Sequence, residues 1–206
     1  MSEVFKLCVL ASGTGTNLQA ILDQLHGCDG IEVAGVASDK PEAMALERAR
    51  AAGIREQSFP RESFEDRPAR DAAMAGWVEA LGVDLVVLAG YMQLLTPAFL
   101  SRFGGRVINV HPALLPSFPG LDAVGQALEH GVKVTGVTVH YVDDGIDSGP
   151  ILLQRPVPIP PDRDREALEE AIHRTEHALL PQAISMIACG RVRIDGRNPR
   201  LVVIDE

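Results

Sequence analysis

The sequence lacks several features that would assign it to a specialised class of protein. No stretch approaches the roughly 18 consecutive apolar residues of a membrane-spanning helix. The three cysteines, Cys8, Cys28 and Cys189, are odd in number and show no C-x-x-C spacing, so neither a disulfide framework nor a zinc site is expected. Cys8 lies inside an apolar run and is predicted to be a buried small hydrophobic residue.

Positive charge and aromatic side chains are also scarce. The formal net charge is −9 at pH 7 and only 4% of the residues are aromatic, which argues against a nucleic-acid surface. A small-molecule partner is favoured, and any anionic group on it must be bound by local geometry because the overall field repels it. No signal peptide is visible, since Met1-Ser2-Glu3 leads directly into a strand-like run, and a cytoplasmic protein is expected.

Strand-like and helix-like segments alternate through the first half of the chain. Buried strands are predicted at 5–11, 31–38, 54–59 and 83–90, separated by helical stripes that include Leu18 to Leu25, the segment 41–53, and Met74 to Leu81. The second half predicts strands at 106–110, 132–142 and 149–159, a helix at 164–187, and two short strands around an Asp195-Gly196 turn. This order predicts an α/β, Rossmann-like fold with a mainly parallel twisted sheet and helices on both faces, as one domain (1–206) with two lobes that divide near residue 100.

The segment "SGTGTNLQA" (12–20) joins the first strand to the first helix. Gly13 and Gly15 allow a tight turn, and the helix start directs free N–H groups toward whatever binds there. The position of a third dinucleotide-motif glycine is Leu18, and the lysine of a P-loop is missing. The spacing favours a phosphate site, with a plain glycine turn capped by Thr16 or Asn17 as the alternative.

The segment "VINVHPALLPSFPG" (107–120) holds a histidine at a strand exit. Asn109 and His111 are two residues apart, so both point the same way from an extended chain. Pro112 biases His111 toward an extended conformation, and the carboxyl end of a parallel strand is where open α/β sheets bind ligands. The pair can therefore hydrogen-bond a developing oxyanion, or His111 can simply be a satisfied histidine at a capped strand end.

Acidic residues collect in "YVDDGIDSGP" (141–150), between two strongly predicted strands. Asp143 and Asp144 fit an ordinary turn, whereas Asp147 lies between two turns from which its carboxylate can reach a neighbouring loop. The spacing fits no calcium loop and no histidine cluster accompanies the three acids, so no metal is expected. Elsewhere, Glu176 lies beside the apolar stripe of the last long helix and fits a structural ion pair, and Arg67 fits a solvated surface charge.

Five blocks in the same order resemble the phosphoribosylglycinamide formyltransferase family, and the likeness runs from residue 6 to about 204. They are "ASGTGTNLQAI", "LAGYMQLL", "INVHPALLPSFPG", "GVTVHYVDDGIDSGPIL" and "HRTEHALLP". The resemblance implies transfer of the formyl group of 10-formyltetrahydrofolate, as co-substrate and without a metal, to the amine of glycinamide ribonucleotide in purine biosynthesis. Neither nucleic acid nor membrane is expected as a partner, and a monomer or homodimer is expected.

The resemblance also implies roles for individual positions. Asn109, His111 and Asp147 match the catalytic residues of the family. Asn109 and a protonated His111 would hold the oxyanion, while Asp147 would favour the protonated His111 and order a water or relay the proton. The implied ribonucleotide-binding residues are Gly15, Thr16, Asn17, His173, Arg174 and Glu176. The implied folate-binding residues are Arg67, Met92, Gln93, Leu94, Leu95, Asn109, Asp143, Asp144 and Asp147, and His140 resembles a histidine near the reaction centre but equally fits packing.

Two departures and several alternatives accompany this interpretation. Relatives often carry Arg where this chain has Gln93, and G-L-H-T-H where it has Gly120 to Val124, which leaves folate affinity open. A 10-formyltetrahydrofolate hydrolase usually has an added N-terminal domain, for which the early first strand leaves no room. Methionyl-tRNA formyltransferase is opposed by the acidic charge and short tail, and an NAD-dependent dehydrogenase by the missing third glycine. A non-catalytic phosphosugar-binding module would not need the coincidence of Asn109, His111 and Asp147.

Overall fold

A computed structural model describes residues 4–205 of the chain, so the expectation drawn from Met1-Ser2-Glu3 lies outside the described residues. The chain divides between Ile108 and Asn109 into two compact units. The elements of the first unit are β1 (Phe5–Leu10), α1 (Thr16–Gln24), β2 (Ile31–Ser38), α2 (Met44–Ala51), β3 (Arg55–Ser58), α3 (Arg67–Ala80), β4 (Leu85–Leu88) and α4 (Pro97–Leu100). Strand β5 (Val107–His111) begins in the first unit and ends in the second.

The first unit is built on parallel strands. β1 pairs in parallel with both β2 and β4, and β2 pairs in parallel with β3. The last four residues of β1 are fully buried, as expected for a parallel strand covered on both faces. Cys8 is among them, and burial raises the pKa of its thiol, so its predicted role as a small hydrophobic residue is confirmed.

Helix α3 packs very closely on β2 at Gly35. A Cβ atom at this position would lie 2.4 Å from Leu81 Cδ1 and 2.8 Å from the Trp77 ring, so only glycine fits. Trp77 also meets Phe59 edge to face, with ring centroids 6.1 Å apart. The helical stripe of Trp77 and Leu81 read from the sequence therefore faces the sheet, as predicted.

The second unit combines an antiparallel pair of strands with a long helix. Its elements after β5 are α5 (Ala123–His130), β6 (Val134–Tyr141), β7 (Ile151–Pro158), α6 (Arg165–Ala188), β8 (Val192–Ile194) and β9 (Val202–Ile204). β6 and β7 are antiparallel, with His140 opposite Ile151, and α6 packs on both strands. Of the predicted stripe of α6, Leu168, Ile172 and Leu179 are buried, whereas Thr175 is half-buried.

The order of the hydrogen-bonded strands is β3-β2-β1-β4-β5-β6-β7, with β8 and β9 as a separate antiparallel pair. The predicted α/β class with a mainly parallel sheet is confirmed. Helix α2 begins at Met44, three residues after the predicted start at Pro41, and Asp195-Gly196 belongs to a longer connection and not to a two-residue turn. Helices α4, a single turn, and α5, of eight residues, were not predicted.

Candidate functional site

Strand β5 brings Asn109 and His111 to the same carboxylate. Asn109 Nδ2 lies 3.4 Å from Asp147 Oδ1, and His111 Nδ1 lies 3.3 Å from Asp147 Oδ2. His111 is only 4% exposed. The two-residue spacing on an extended strand therefore gives the shared direction that the sequence predicted, and the structure brings all three side chains together.

Asp147 is held at the end of the loop between β6 and β7. Its φ of +49° is left-handed, a conformation that aspartate adopts more readily than most residues, and the N–H of Gly120 donates to Oδ2 at 2.8 Å. Burial acts to raise the pKa of the Asp147 carboxyl. The hydrogen bonds from His140 and Gly120 and the charges of His111 and His140 outweigh it, so the pKa lies below its ordinary value. The carboxylate is therefore ionised at neutral pH.

Both ring nitrogens of His111 face acceptors. Nε2 lies 2.8 Å from the carbonyl oxygen of Phe118, and Nδ1 faces Asp147 Oδ2. A carbonyl and an ionised carboxylate can only accept hydrogen bonds, so the imidazolium form satisfies both contacts and a neutral ring satisfies one. The site therefore presents a buried histidine arranged to carry a proton.

His140 completes this cluster, although the sequence left its role open. Its Nδ1 lies 2.9 Å from the carbonyl oxygen of Tyr141 and therefore carries a proton. Its Nε2 lies 3.2 Å from Asn109 Nδ2 and 3.6 Å from Asp147 Oδ1. The neutral ring thus accepts from the Asn109 amide, and a protonated ring would form an ion pair with Asp147. In either form His140 Nε2 occupies a polar atom of Asn109 or of Asp147.

The other acids of this loop have a different place. Asp143 Oδ1 accepts hydrogen bonds from the Gly145 N–H at 3.0 Å and the Ser148 hydroxyl at 2.7 Å, so Asp143 braces the turn that precedes Asp147. Asp144 is exposed. No group of three or more His, Cys, Asp or Glu residues within 4–205 is arranged to hold a metal ion.

The glycine-rich loop of the first unit differs from the sequence expectation in one detail. The cap of α1 is Gly15, with φ of +71° and no side-chain cap, and not Thr16 or Asn17. A Cβ at Gly15 would lie 2.8 Å from Ala45 Cα, so the close approach of α2 excludes a capping side chain. A helix start without a side-chain cap keeps N–H groups available to an anion.

Arg48 of α2 was missed by sequence reasoning. It donates through Nε to the Thr14 carbonyl at 2.8 Å and through Nη1 to Gln19 Oε1 at 2.9 Å. Its guanidinium therefore lies against the glycine-rich loop and adds a positive charge there. Arg48 reaches the loop because β1 and β2 are parallel neighbours. No sequence pattern near residue 14 predicts this contact.

Residues 92–95 follow β4 in an exposed loop. Met92 and Leu94 are 59% and 52% exposed, so two large apolar side chains of this loop face solvent. Gln93 is turned inward, and its Nε2 donates to Asp39 Oδ2 at 3.0 Å. The apolar side chains of this loop are thus available to a ligand, while Gln93 is bonded within the protein.

Arg67 begins α3 and borders a cavity of about 210 Å³, whose wall also includes Arg61, Arg70 and Gln93. Arg70 is 2% exposed, and its Nη2 lies 2.8 Å from Oδ1 of the fully buried Asp71. This pair fixes one guanidinium in the wall of the cavity, while Arg61 and Arg67 are exposed. The wall also includes Glu65 and Asp66, so the cavity presents both guanidinium and carboxylate groups to a ligand.

The residues of α6 that the resemblance assigns to the ribonucleotide differ in burial: Glu176 is buried, whereas His173 and Arg174 are exposed. Glu176 is 6% exposed, and its neighbour His177 has a pKa lowered by burial and by His173, whose ring stacks on it at 6.4 Å. Arg174 instead forms an exposed ion pair with Glu170 at 2.7 Å. The implied roles of His173, Arg174 and Glu176 in ligand binding therefore stay predictions.

Comparison with known proteins gives one consistent family. Residues 5–184 match the model of the formyl transferase family. The chain is 43% identical to phosphoribosylglycinamide formyltransferase of Bacillus subtilis (88% of this chain, 94% of that protein) and 46% identical to that of Mycobacterium tuberculosis (94% and 89%). It is also 43% identical to the trifunctional purine biosynthetic protein adenosine-3 of Drosophila melanogaster, matching over 92% of this chain but spanning only 14% of that protein's length.

A solved structure gives the same result. Glycinamide ribonucleotide transformylase 1 from Symbiobacterium toebii superposes with a TM-score of 0.95 at 47% identity, covering 100% of this chain and 96% of the other. None of the helices within residues 4–205 is long and apolar enough to span a membrane.

Proposed function

Because this chain belongs to the formyl transferase family, we propose that it transfers the formyl group of 10-formyltetrahydrofolate to the amine of N1-(5-phospho-D-ribosyl)glycinamide in purine biosynthesis. Relatives that match at 43% and 46% identity over most of the chain carry the name of this activity. The observation that carries the proposal is the convergence of Asn109, His111 and Asp147. The products are the N-formyl ribonucleotide and tetrahydrofolate.

The proposed chemistry follows from what these three groups can do. The substrate amine attacks the formyl carbon and forms a C–N bond, and a tetrahedral intermediate with an oxyanion results. Imidazolium His111 stabilises the oxyanion by directing Nε2–H to it in place of the Phe118 carbonyl, and Asn109 lies beside it on the same strand face. The bond to N10 of the folate then breaks, and one proton passes from the amine to N10.

Asp147 has two parts in this proposal. Its ionised carboxylate faces His111 Nδ1 and favours the protonated ring by opposite charge. The carboxylate also accepts a proton from the attacking amine, directly or through an ordered water. The same proton then passes to the leaving N10. The loop that carries Asp147, with Asp143 and Asp144, is proposed to lie against the pterin ring.

The substrates are proposed to bind through the loops of the first unit as well. The phosphate of the ribonucleotide binds the N–H groups of Gly15, Thr16 and Asn17, with Arg48 adding positive charge. The exposed apolar side chains of residues 92–95 contact the folate, and Arg67 binds its carboxylate tail at the cavity that it borders. Glu176 and His173 are proposed contacts of the ribose and amine.

A spectrophotometric assay tests the proposal directly. Purified protein is mixed with 10-formyltetrahydrofolate, with and without glycinamide ribonucleotide, and loss of the formyl folate is followed. Loss that requires the ribonucleotide supports formyl transfer. Loss that ignores the ribonucleotide indicates a hydrolase, and ribonucleotide binding without any loss indicates a phosphosugar-binding module.

The cellular place and assembly of the chain are also proposals. We expect it to act in the cytoplasm, where purine precursors are made, as a monomer or homodimer. Light scattering of the purified protein at micromolar concentration distinguishes these from a larger assembly.

A further inference from the structure

Loop 92–95 is fixed at its start by a small hydrogen-bond network around Ser12. The Met92 N–H donates to Ser12 Oγ at 2.9 Å, and the Ser12 N–H donates to the Gly90 carbonyl at 3.0 Å. Ser12 is 3% exposed. The loop is therefore tied to a buried residue that follows closely on strand β1.

Asp39, at the end of β2, holds both halves of this network. Its Oδ1 accepts a hydrogen bond from the Ser12 hydroxyl at 2.5 Å, and its Oδ2 accepts a hydrogen bond from Gln93 Nε2 at 3.0 Å. A serine hydroxyl has a single O–H donor. Because Ser12 donates it to Asp39, the oxygen lone pairs of Ser12 are left to accept the Met92 N–H. One carboxylate thereby determines the position of two consecutive residues of the loop.

The far end of the loop has its own anchor. The Thr96 N–H donates to Oδ2 of the fully buried Asp71 at 2.7 Å, and Arg70 holds the other oxygen of that carboxylate. With both ends tied, Met92 and Leu94 stay exposed on a loop of fixed shape. Such preorganisation lowers the cost of binding a flat, partly apolar ligand.

We propose that Asp39 is a positioning residue for the folate co-substrate, and that Gln93 acts through Asp39 and not by contacting the folate itself. The inference rests on the proposed function, because it assigns 10-formyltetrahydrofolate to loop 92–95.

The test exchanges donor and acceptor across this hydrogen bond. Gln93→Glu places two carboxylates face to face, and their repulsion opens the loop. Asp39→Asn in the same chain restores a donor opposite the introduced carboxylate, so the double variant regains the bond. Gln57→Glu, an exposed glutamine on the edge strand β3, is the matched control for the added charge.

The measurements are kcat, KM for each substrate, and amide hydrogen exchange of residues 90–96. Gln93→Glu is expected to raise KM for 10-formyltetrahydrofolate about tenfold and to speed exchange of the Met92 amide about tenfold, with little change in kcat. The Asp39→Asn, Gln93→Glu double variant is expected to return both quantities to within about threefold of the original chain.

Unchanged KM and exchange in Gln93→Glu, or no recovery in the double variant, overturns the proposal. An equal effect of Gln57→Glu does the same, because it assigns the change to net charge. If the original chain does not transfer formyl groups at all, the proposed function fails separately. The exchange data then decide alone: unchanged Met92 exchange overturns the role of Asp39, and the predicted loss and recovery support its control of the loop.

Discussion

Replacing Asp147 by asparagine tests the site with little disturbance of the backbone. Asparagine has nearly the same shape and tolerates the left-handed φ of +49° found at this position. Its carbonyl oxygen can still accept the Gly120 N–H that now donates to Oδ2 at 2.8 Å. The change therefore removes the negative charge and one acceptor, and it leaves the fold of the loop in place.

Two effects of different size follow from the contacts. Without the carboxylate, His111 loses the charged acceptor that lies 3.3 Å from Nδ1 and orients its ring. A positioned proton donor or acceptor contributes about 100- to 10,000-fold to a rate, so kcat for formyl transfer should fall by that factor, with KM changed much less. The hydrogen bonds lose their charged partner, which should lower the free energy of unfolding by about 1–2 kcal/mol.

The pH dependence has a definite sign. The pKa of Asp147 is lowered in the folded chain from 3.8, so the ionised group contributes stability above about pH 3.8, and this contribution disappears as pH falls through the folded pKa. The stability difference between the original chain and Asp147→Asn, measured by urea denaturation, should therefore be constant at neutral pH and shrink in acid.

Asp195→Asn is the control for the Asp147 variant. Asp195 also has a lowered pKa, caused by the N–H groups of Asn198 and Arg197, but it lies in the exposed connection between β8 and β9. It should change acid stability without changing kcat. A kcat for Asp147→Asn within about tenfold of the original would remove this carboxylate from the chemistry.

Two further substitutions test the first unit. Gly15→Ala should weaken ribonucleotide binding and lower stability, since its Cβ would lie 2.8 Å from Ala45 Cα at a φ of +71°, whereas Gly13→Ala meets no atom within 4 Å and should change stability little; calorimetric titration and thermal melting compare the two, and equal effects would refute the steric argument. Asp66→Ala removes the side-chain oxygen that accepts the Ala69 N–H at 2.8 Å, and it should cost about 1 kcal/mol of stability in urea denaturation, so an unchanged midpoint would show that the cap contributes nothing.

The sequence predicted the strands and the central polar pair because both follow short-range rules. Apolar runs located β1 and β2 to within a residue, and the two-residue spacing aligned Asn109 with His111. Helix α5 could also have been found, since Asp122 caps it by accepting the Gly125 N–H and Gly131 ends it with φ of +74°. Its apolar period is too short to stand out beside the proline-rich loop before it.

The network around Asp39 lies beyond such rules. Ser12 and Asp39 are separated by 27 residues, and Asp39 and Gln93 by 54, and the three meet because parallel pairing of β2, β1 and β4 brings the ends of these strands to one edge. The sequence indicates that each residue follows a strand. It does not indicate which of the many polar residues after strands point toward one another.

His140 shows why strand alternation failed to assign a side chain that the structure assigns easily. On a strand with one solvent-exposed face, a polar residue on the buried face is conspicuous because it breaks the alternation. In β6, however, seven of the eight residues are buried. Both faces of β6 then look alike in sequence, and a histidine there fits packing as well as chemistry. Its position is settled by the Tyr141 carbonyl 2.9 Å from Nδ1, because that contact commits one ring nitrogen and turns the other toward Asn109 and Asp147. The role of a buried histidine on a strand covered on both faces therefore follows from the partners of its two nitrogens, which strand alternation does not predict.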